Sequence, residues 1–454
     1  MWQLPKVERP VTLTVFGATG DLFARKIVPA LYLLFRERKL PDIFSVIGFG
    51  RRPLDDISFR EQALAHLQKA SPAVTAPEAA SFLSLFSYRR GEFSDPAAFV
   101  ALGKTLAERD RALGIETLKS FYLAVPPEMV PMLAPRIAEA APSHRLADGS
   151  TLAWGLLIEK PFGTDETSAR ALSAALHEYF DENELFRIDH YLAKPALDAL
   201  LHARTTHPRY DALLAREKIR GITITLFETL GVESRGAFYD SVGALRDVGQ
   251  NHLLEMLALA IMPIPNMDAA HVCGAREAFM QALPQLSPTH IAANTIRAQH
   301  EGYCVIAGVG SESQTETYFR LAFSLTQTPY TGVPVVLQAG KRMSAMQKDI
   351  VIAFDCDHTD TLHIELEPVP CIYTKKDGVL TMISEFTDPE PSIQYANEYA
   401  SLFAYAWRGD HTFFPAEKEV EYQWRFVDPI IALWQEGMPP MRTYIPNTML
   451  PWKK

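Results

Sequence analysis

Long apolar runs are missing from this chain. No stretch reaches the roughly 18 uncharged hydrophobic residues that a bilayer-spanning helix needs, so no membrane span is expected. Cysteine is scarce: Cys273, Cys304, Cys356 and Cys371 form no CxxC pair and show no metal-ligand spacing. That argues against a disulfide scaffold and against a metal site, and reduced thiols in a cytoplasmic protein are the simplest account. Excess basic charge is also lacking. Lys and Arg number 44 against 54 Asp and Glu, a formal net charge of -10, whereas nucleic acid and anionic membrane both call for a basic field. Neither is expected as a partner, and an anionic small ligand would need basic residues gathered locally. Internal repeats and low-complexity tracts are absent. The opening MWQLPKVERPVTLTVFG enters a strand pattern too early to leave room for a signal peptide.

What is present is a chain of 454 residues with 48% hydrophobic content, enough for a large core. Length alone suggests about three domains, although α/β enzymes often use fewer and larger ones. Thr12 to Phe16 reads as a buried parallel strand, followed by Gly17-Ala18-Thr19-Gly20-Asp21-Leu22 and an apolar helical pattern through Phe35. Backbone N–H groups at such a helix start can hold a pyrophosphate. The turn is G-x-x-G and not the full G-x-G-x-x-G, and a tight turn without a ligand reads the same way. The next strand, from Phe44, ends at Arg51-Arg52. An acid about 20 residues past the glycine turn suits the ribose hydroxyls of NAD, whereas arginine there suits a 2′-phosphate. NADP is therefore expected over NAD, which remains possible at lower preference.

Strand patterns at Ser120–Val125 and Leu152–Ile158 alternate with helical ones near 96–113, 128–140 and 165–179, and the Ala- and Pro-rich stretch 71–80 reads as a surface connection or helix end. The alternation predicts an α/β fold, a doubly wound Rossmann-like parallel sheet over residues 1–186. From 187 to 454 the pattern becomes half-buried strands (Ile222–Leu226, Val333–Leu337, Asp349–Phe354) with a long amphipathic helix at Val242–Ala260. This half predicts an α+β domain built on a large, mostly antiparallel sheet.

At the junction stands Arg187-Ile188-Asp189-His190-Tyr191-Leu192-Ala193-Lys194, a density of titratable groups poorly suited to a core and well suited to a charged small-molecule site. By itself such a run reads more readily as a solvated helix start. The octapeptide resembles the RIDHYLGK signature of glucose-6-phosphate dehydrogenases, with Ala193 in the glycine position. Further pieces follow the family in collinear order: FGATGDLFARK at 16–26, FYLAVPP at 121–127, EKPFG at 159–163, a run ending in RGAFYD, LRDVGQNHLL at 245–254 and QAGK at 338–341. The C-terminal third matches least and looks shortened.

The resemblance implies NADP-dependent oxidation of glucose 6-phosphate at C1. His252 would be the general base, and an imidazole with an unperturbed pKa of about 6.5 suits that task. Asp189 would orient it, as the acid does in a Ser-His-Asp triad. His190, Tyr191 and Lys194 resemble the sugar-phosphate ligands, Lys160 and Lys341 further substrate contacts, and Glu228 and Asp247 acceptors for ring hydroxyls. Gly17, Thr19, Gly20, Asp21, Leu22, Lys26, Arg51, Arg52, Pro127 and Lys160 correspond to the cofactor side. The family's association through the second domain's sheet implies a homo-dimer or homo-tetramer. Asp247 and His252 lie five residues apart, about 140° on an ideal helix. Both reach one sugar only if the helix starts close to Asp247 or the sugar lies across its end.

Two departures stand out. Met346 occupies the position of a second basic residue usual after Gly340-Lys341. Lys348, two residues on, either replaces that charge or faces solvent. Gln338 replaces the arginine of members with a second, structural NADP site, which is not expected here. The rival readings are a dehydrogenase of an unphosphorylated or differently substituted aldose, motivated by Met346, and a non-catalytic NADP-binding regulator, which would not need His252.

Overall fold

The computed structural model describes residues 4–141, 154–206, 214, 218–326, 329–355, 359–367, 369–385, 396–448 and 450. Cys356 and the first two residues of the strand expected at 152–158 lie outside them. The chain forms two compact units, the first comprising Met1–Gly163, Thr167–Ala193 and Asp388–Glu417, the second Thr164–Glu166, Lys194–Thr387 and Lys418–Lys454.

Among its described residues the first unit is built on six parallel strands: β1 (Val11–Phe16), β2 (Phe44–Gly50), β3 (Phe86–Arg90), β4 (Leu118–Leu123), β5 (Trp154–Glu159) and β6 (Leu185–Ile188). Their order β3-β2-β1-β4-β5-β6 is that of a doubly wound dinucleotide-binding sheet. Every residue of β1 and β2 is buried, Thr12, Thr14 and Ser45 included, as in strands covered on both faces. On one face Phe99 and Leu102 of helix Pro96–Leu113 and Leu133 and Ile137 of helix Val130–Ala140 join Phe16, Phe49 and Phe121 in one core. Pro96–Leu113 is bounded as its sequence demands. Asp95 accepts the Ala97 N–H at 3.0 Å, Pro96 begins the first turn, and Gly114 closes it at φ 67°.

The other face departs from the expected division at 186/187. Helix Ala396–Arg408 belongs to this unit: the Trp407 ring lies 5.1 Å from that of Phe44 and donates from Nε1 to Ser120 Oγ at 3.0 Å, and Phe403 lies 5.6 Å from Tyr122. Tyr399, Phe403 and Trp407, spaced by four, form one aromatic stripe that the sheet buries. Part of the stretch expected as a connection is also regular, forming helix Ala76–Leu83.

Among its described residues the second unit carries nine strands: β7 (Ile219–Phe227), β8 (Thr295–His300), β9 (Tyr318–Ser324), β10 (Pro334–Gly340), β11 (Gln347–Phe354), β12 (Thr361–Glu367), β13 (Cys371–Lys376), β14 (Val379–Glu385) and β15 (Arg442–Tyr444). They are ordered β14-β13-β12-β11-β7-β10-β9-β8-β15. All neighbours run antiparallel except β7 with β10 and β8 with β15. The sheet is mostly antiparallel, as expected.

The long helix expected at 242–260 is not one α-helix. Gly243, at φ 75°, breaks it, and a Cβ there would sit 2.6 Å from Glu316 Oε1. Glu316 then accepts the Leu245 N–H at 2.8 Å, and the chain continues as a π-helix over Leu245–Leu253 before returning to α geometry at Leu254–Ile261.

Candidate functional site

In the first unit the glycine turn is shaped by close backbone approach. Gly17 has φ 82°, and a Cβ on it would lie 2.2 Å from the Ala124 carbonyl oxygen after β4. Its N–H donates to Phe49 O at 3.1 Å, and Gly20 N–H closes the turn onto Gly17 O at 2.9 Å. Thr19, Gly20, Asp21 and Leu22 complete the turn, and Lys26 follows on a π turn at Phe23–Ile27. Arg51 and Arg52 stand exposed just beyond β2. The Tyr88 hydroxyl holds that loop by donating to Gly50 O (2.8 Å) and Arg52 O (3.0 Å). Pro127 opens a short turn after β4. A close-packed turn at a helix start with two guanidiniums beyond the next strand fits a phosphorylated dinucleotide.

At the end of β5, Glu159 receives the hydroxyls of Tyr122 and, at 2.9 Å, Tyr399. Burial pushes its carboxyl above the ordinary range, against the opposing pull of both phenols and of Lys160 and Lys26. Lys26 Nζ lies 5.6 Å from the centre of the Tyr399 ring, and the His190 ring lies 6.3 Å from it. Tyr399 thus gathers residues expected for cofactor and for substrate. Sequence reasoning missed it and Glu159, although Glu159 precedes Lys160 in the EKPFG motif. Asp189 is 2% exposed and accepts the Tyr191 N–H at 2.9 Å, which fixes its carboxylate in a local turn. Asp189, His190 and Tyr191 belong to the first unit, and Lys194 and His252 to the second.

In the second unit, parallel pairing of β7 with β10 aligns Phe227 with Gly340, so the chain leaves both strands level. The next residues are Glu228 and Lys341, and their side chains form an ion pair. Asp247 is also 3.8 Å from Lys341 Nζ. The three line a small cleft with Tyr239, whose ring centre is 5.7 Å from that ammonium. The π-helix answers the spacing problem. Its i→i+5 bonding brings residues five apart close to one line, so Asp247 and His252 share a face. The Gly243 break also starts this segment two residues before Asp247. His252 is 1% exposed, and a buried polar group behind the segment supports it: Gln250 donates to Gln423 at 3.4 Å, Gln423 to Glu255, and Arg276 pairs with Glu255 and Glu419.

Lys348 does not face solvent. It pairs in register with Glu367 across β11 and β12, is 4% exposed, and donates from Nζ to Glu367 Oε2 at 2.7 Å. Lys194 donates to the other oxygen, Oε1, also at 2.7 Å. Met346 is exposed. Glu367 was another residue missed, although the alternation along β12 carries it on the line of His363 and Glu365. Gln338 turns into the sheet and donates to Thr225 Oγ1 at 3.1 Å.

Two family models cover almost the whole chain: the glucose-6-phosphate dehydrogenase NAD binding domain at residues 14–198 and the glucose-6-phosphate dehydrogenase C-terminal domain at 201–453. The chain belongs to the glucose-6-phosphate dehydrogenase family. It is accordingly an oxidoreductase with a nicotinamide-nucleotide-binding first domain. Similar members include the glucose-6-phosphate 1-dehydrogenases of Treponema pallidum (31% identical, covering 96% of this chain and 91% of that one) and Mycolicibacterium smegmatis (31%, 99% and 96%). A glucose-6-phosphate dehydrogenase solved with its substrate glucose 6-phosphate superimposes with a TM-score of 0.86 at 28% identity, over 99% of this chain and 97% of that one.

Proposed function

We propose that this family member oxidises D-glucose 6-phosphate at C1 to 6-phospho-D-glucono-1,5-lactone in the cytoplasm, with NADP preferred over NAD. The observation that carries the reading is the Lys341–Glu228–Asp247 group beside a π-helix that brings His252 onto the face of Asp247. Two carboxylates flanking an ammonium offer acceptors and a donor to adjacent ring hydroxyls, a pattern suited to a sugar. His252 takes the proton of the C1 hydroxyl as the C1 hydrogen departs with its electron pair. The chemistry that NADP would supply when bound is that of the hydride acceptor. Gly17, Thr19, Gly20, Asp21, Leu22, Lys26, Pro127 and Lys160 hold the dinucleotide, and Arg51 and Arg52 its 2′-phosphate. Asp189, fixed by the Tyr191 N–H, keeps the positioning role that the family gives it. His190, Tyr191 and Lys194 take the 6-phosphate, and Lys348 supplies the charge missing at Met346.

Turnover followed by nicotinamide absorbance tests this. A large excess of kcat/KM for glucose 6-phosphate over glucose supports it, and a ratio near one returns the unphosphorylated aldose. Self-association is part of the same reading. Val379, Leu380, Met382 and Ile383 are exposed along β14, the last strand in the order of the nine-stranded sheet among the described residues, where exposed apolar side chains invite pairing with a second copy. Light scattering should give at least a dimer.

A further inference from the structure

The lysines read as phosphate ligands in the second unit already hold an anion of the chain's own. Glu367 divides its two oxygens between Lys194 and Lys348, each bond 2.7 Å long. The ammonium side chains are enclosed, 3% and 5% exposed, while the carboxylate is the open member at 22%. Lys348 is fixed by the β11 ladder, and Glu367 stands at the last position of β12. Among the neighbouring acids, Glu365 receives the Tyr373 hydroxyl and Asp349 the Gln347 amide. Glu367 is thus an acid shared by both lysines, and its negative charge opposes an incoming dianion at the ammonium groups it holds.

We propose that Glu367 is a specificity-determining residue: a built-in carboxylate that occupies Lys194 and Lys348 in the free enzyme and yields them to the substrate's phosphate. The proposal rests on the reading of Lys194 as a phosphate ligand. Burial acts to raise the Glu367 carboxyl, but the two ammoniums outweigh it and hold the group below its ordinary range, so it is ionised at neutral pH and competes as an anion. A purely structural ion pair behaves in the opposite way, since losing it loosens the lysines and weakens binding. Competition makes loss of the acid a gain for the phosphate.

The full-length enzyme and a double-mutant cycle separate these accounts. Glu367→Gln keeps the shape and removes the charge. It should lower KM for glucose 6-phosphate about tenfold, the effect of freeing one charge-assisted contact, with the change in KM and not in kcat. The inhibition constant of inorganic phosphate should fall in parallel, while kcat/KM for glucose stays put. Lys348→Met leaves Lys194 neutralised by Glu367 and should raise KM about tenfold. Adding Glu367→Gln to it restores the net charge and should bring KM back to within about threefold of wild type. The double variant also carries the test if Glu367→Gln alone folds poorly. A KM that rises or stays unchanged in Glu367→Gln, or a double variant no better than Lys348→Met, overturns the proposal. Lys194→Ala tells the two readings apart. If it leaves the preference for glucose 6-phosphate over glucose intact, the phosphate reading fails and takes the proposal with it. If it collapses the preference while Glu367→Gln changes nothing, the proposal alone fails.

Discussion

Gly17→Ala puts the smallest possible side chain into the cofactor turn, and its cost can be worked from the backbone. A residue with a Cβ in the left-handed region pays roughly 1–2 kcal/mol. Gly114 offers a control, since it also has a positive φ (67°) but a Cβ added there would meet nothing within 4 Å. At Gly17 the Cβ would stand 2.2 Å from Ala124 O, so the turn must retreat from the end of β4 by about 1 Å to reach ordinary contact distance. That strains the bonds from Gly17 N–H to Phe49 O and from Ala124 N–H to Phe16 O, now 3.1 and 3.0 Å, each worth about 1 kcal/mol. Gly114→Ala should therefore cost about 1–2 kcal/mol and Gly17→Ala about 3 kcal/mol or more. Urea unfolding followed by the fluorescence of Trp154 and Trp407, both in this unit, reads the stability difference, and calorimetry reads NADP affinity. We expect NADP to bind at least about tenfold more weakly to Gly17→Ala and unchanged to Gly114→Ala. Equal unfolding midpoints with normal NADP binding in both variants would refute the reasoning.

His252→Asn should lower kcat by about 10²–10⁴ with little change in substrate affinity; a variant keeping a tenth of kcat sends the search for the base elsewhere. Arg51→Ala should narrow the NADP over NAD preference by about one to two decades, read from paired KM values, and an unchanged ratio removes it from the 2′-phosphate. Because the Glu367 carboxyl lies below its ordinary value of 4.5, its ion pairs stabilise fully above that pH and are lost as pH falls through the lower folded value. The stability gap between wild type and Glu367→Gln should therefore hold from neutrality to about pH 4.5 and close below it, as measured by urea midpoints. Leu380→Glu with Met382→Glu should yield a smaller species by light scattering; an unchanged mass moves the interface off β14.

The candidate site was proposed from the sequence mainly where its residues come in short local runs. A strand, a glycine turn and a helix with Lys26 on its first turns occupy adjacent residues, and periodicity alone marks them. The hidden parts depend on distant pairing. The π-helix at Leu245–Leu253 carries an ordinary helical pattern. What sets it off is Gly243 against Glu316, an acid 71 residues further along the chain from Leu245. Lys348 was undecided because its partner is reached only through the β11–β12 ladder, and Lys194 meets the same carboxylate across 173 residues. Tyr399 lay unseen for a similar reason. Nothing near it in sequence shows that its helix returns to the parallel sheet.

That return has a consequence for how the protein is made. The first unit is interrupted after Ala193 and resumes only at Asp388, so its sheet is synthesised long before the helix that supplies Tyr399, Phe403 and Trp407. At roughly 5–20 residues per second the ribosome needs on the order of 10–40 s to cross that interval. During that time Ser120, Tyr122 and Glu159 have no native cover on the face that helix occupies. A fragment ending near residue 193 therefore lacks the helix that covers this face, and the unit begun first is completed only when Glu417 has been made.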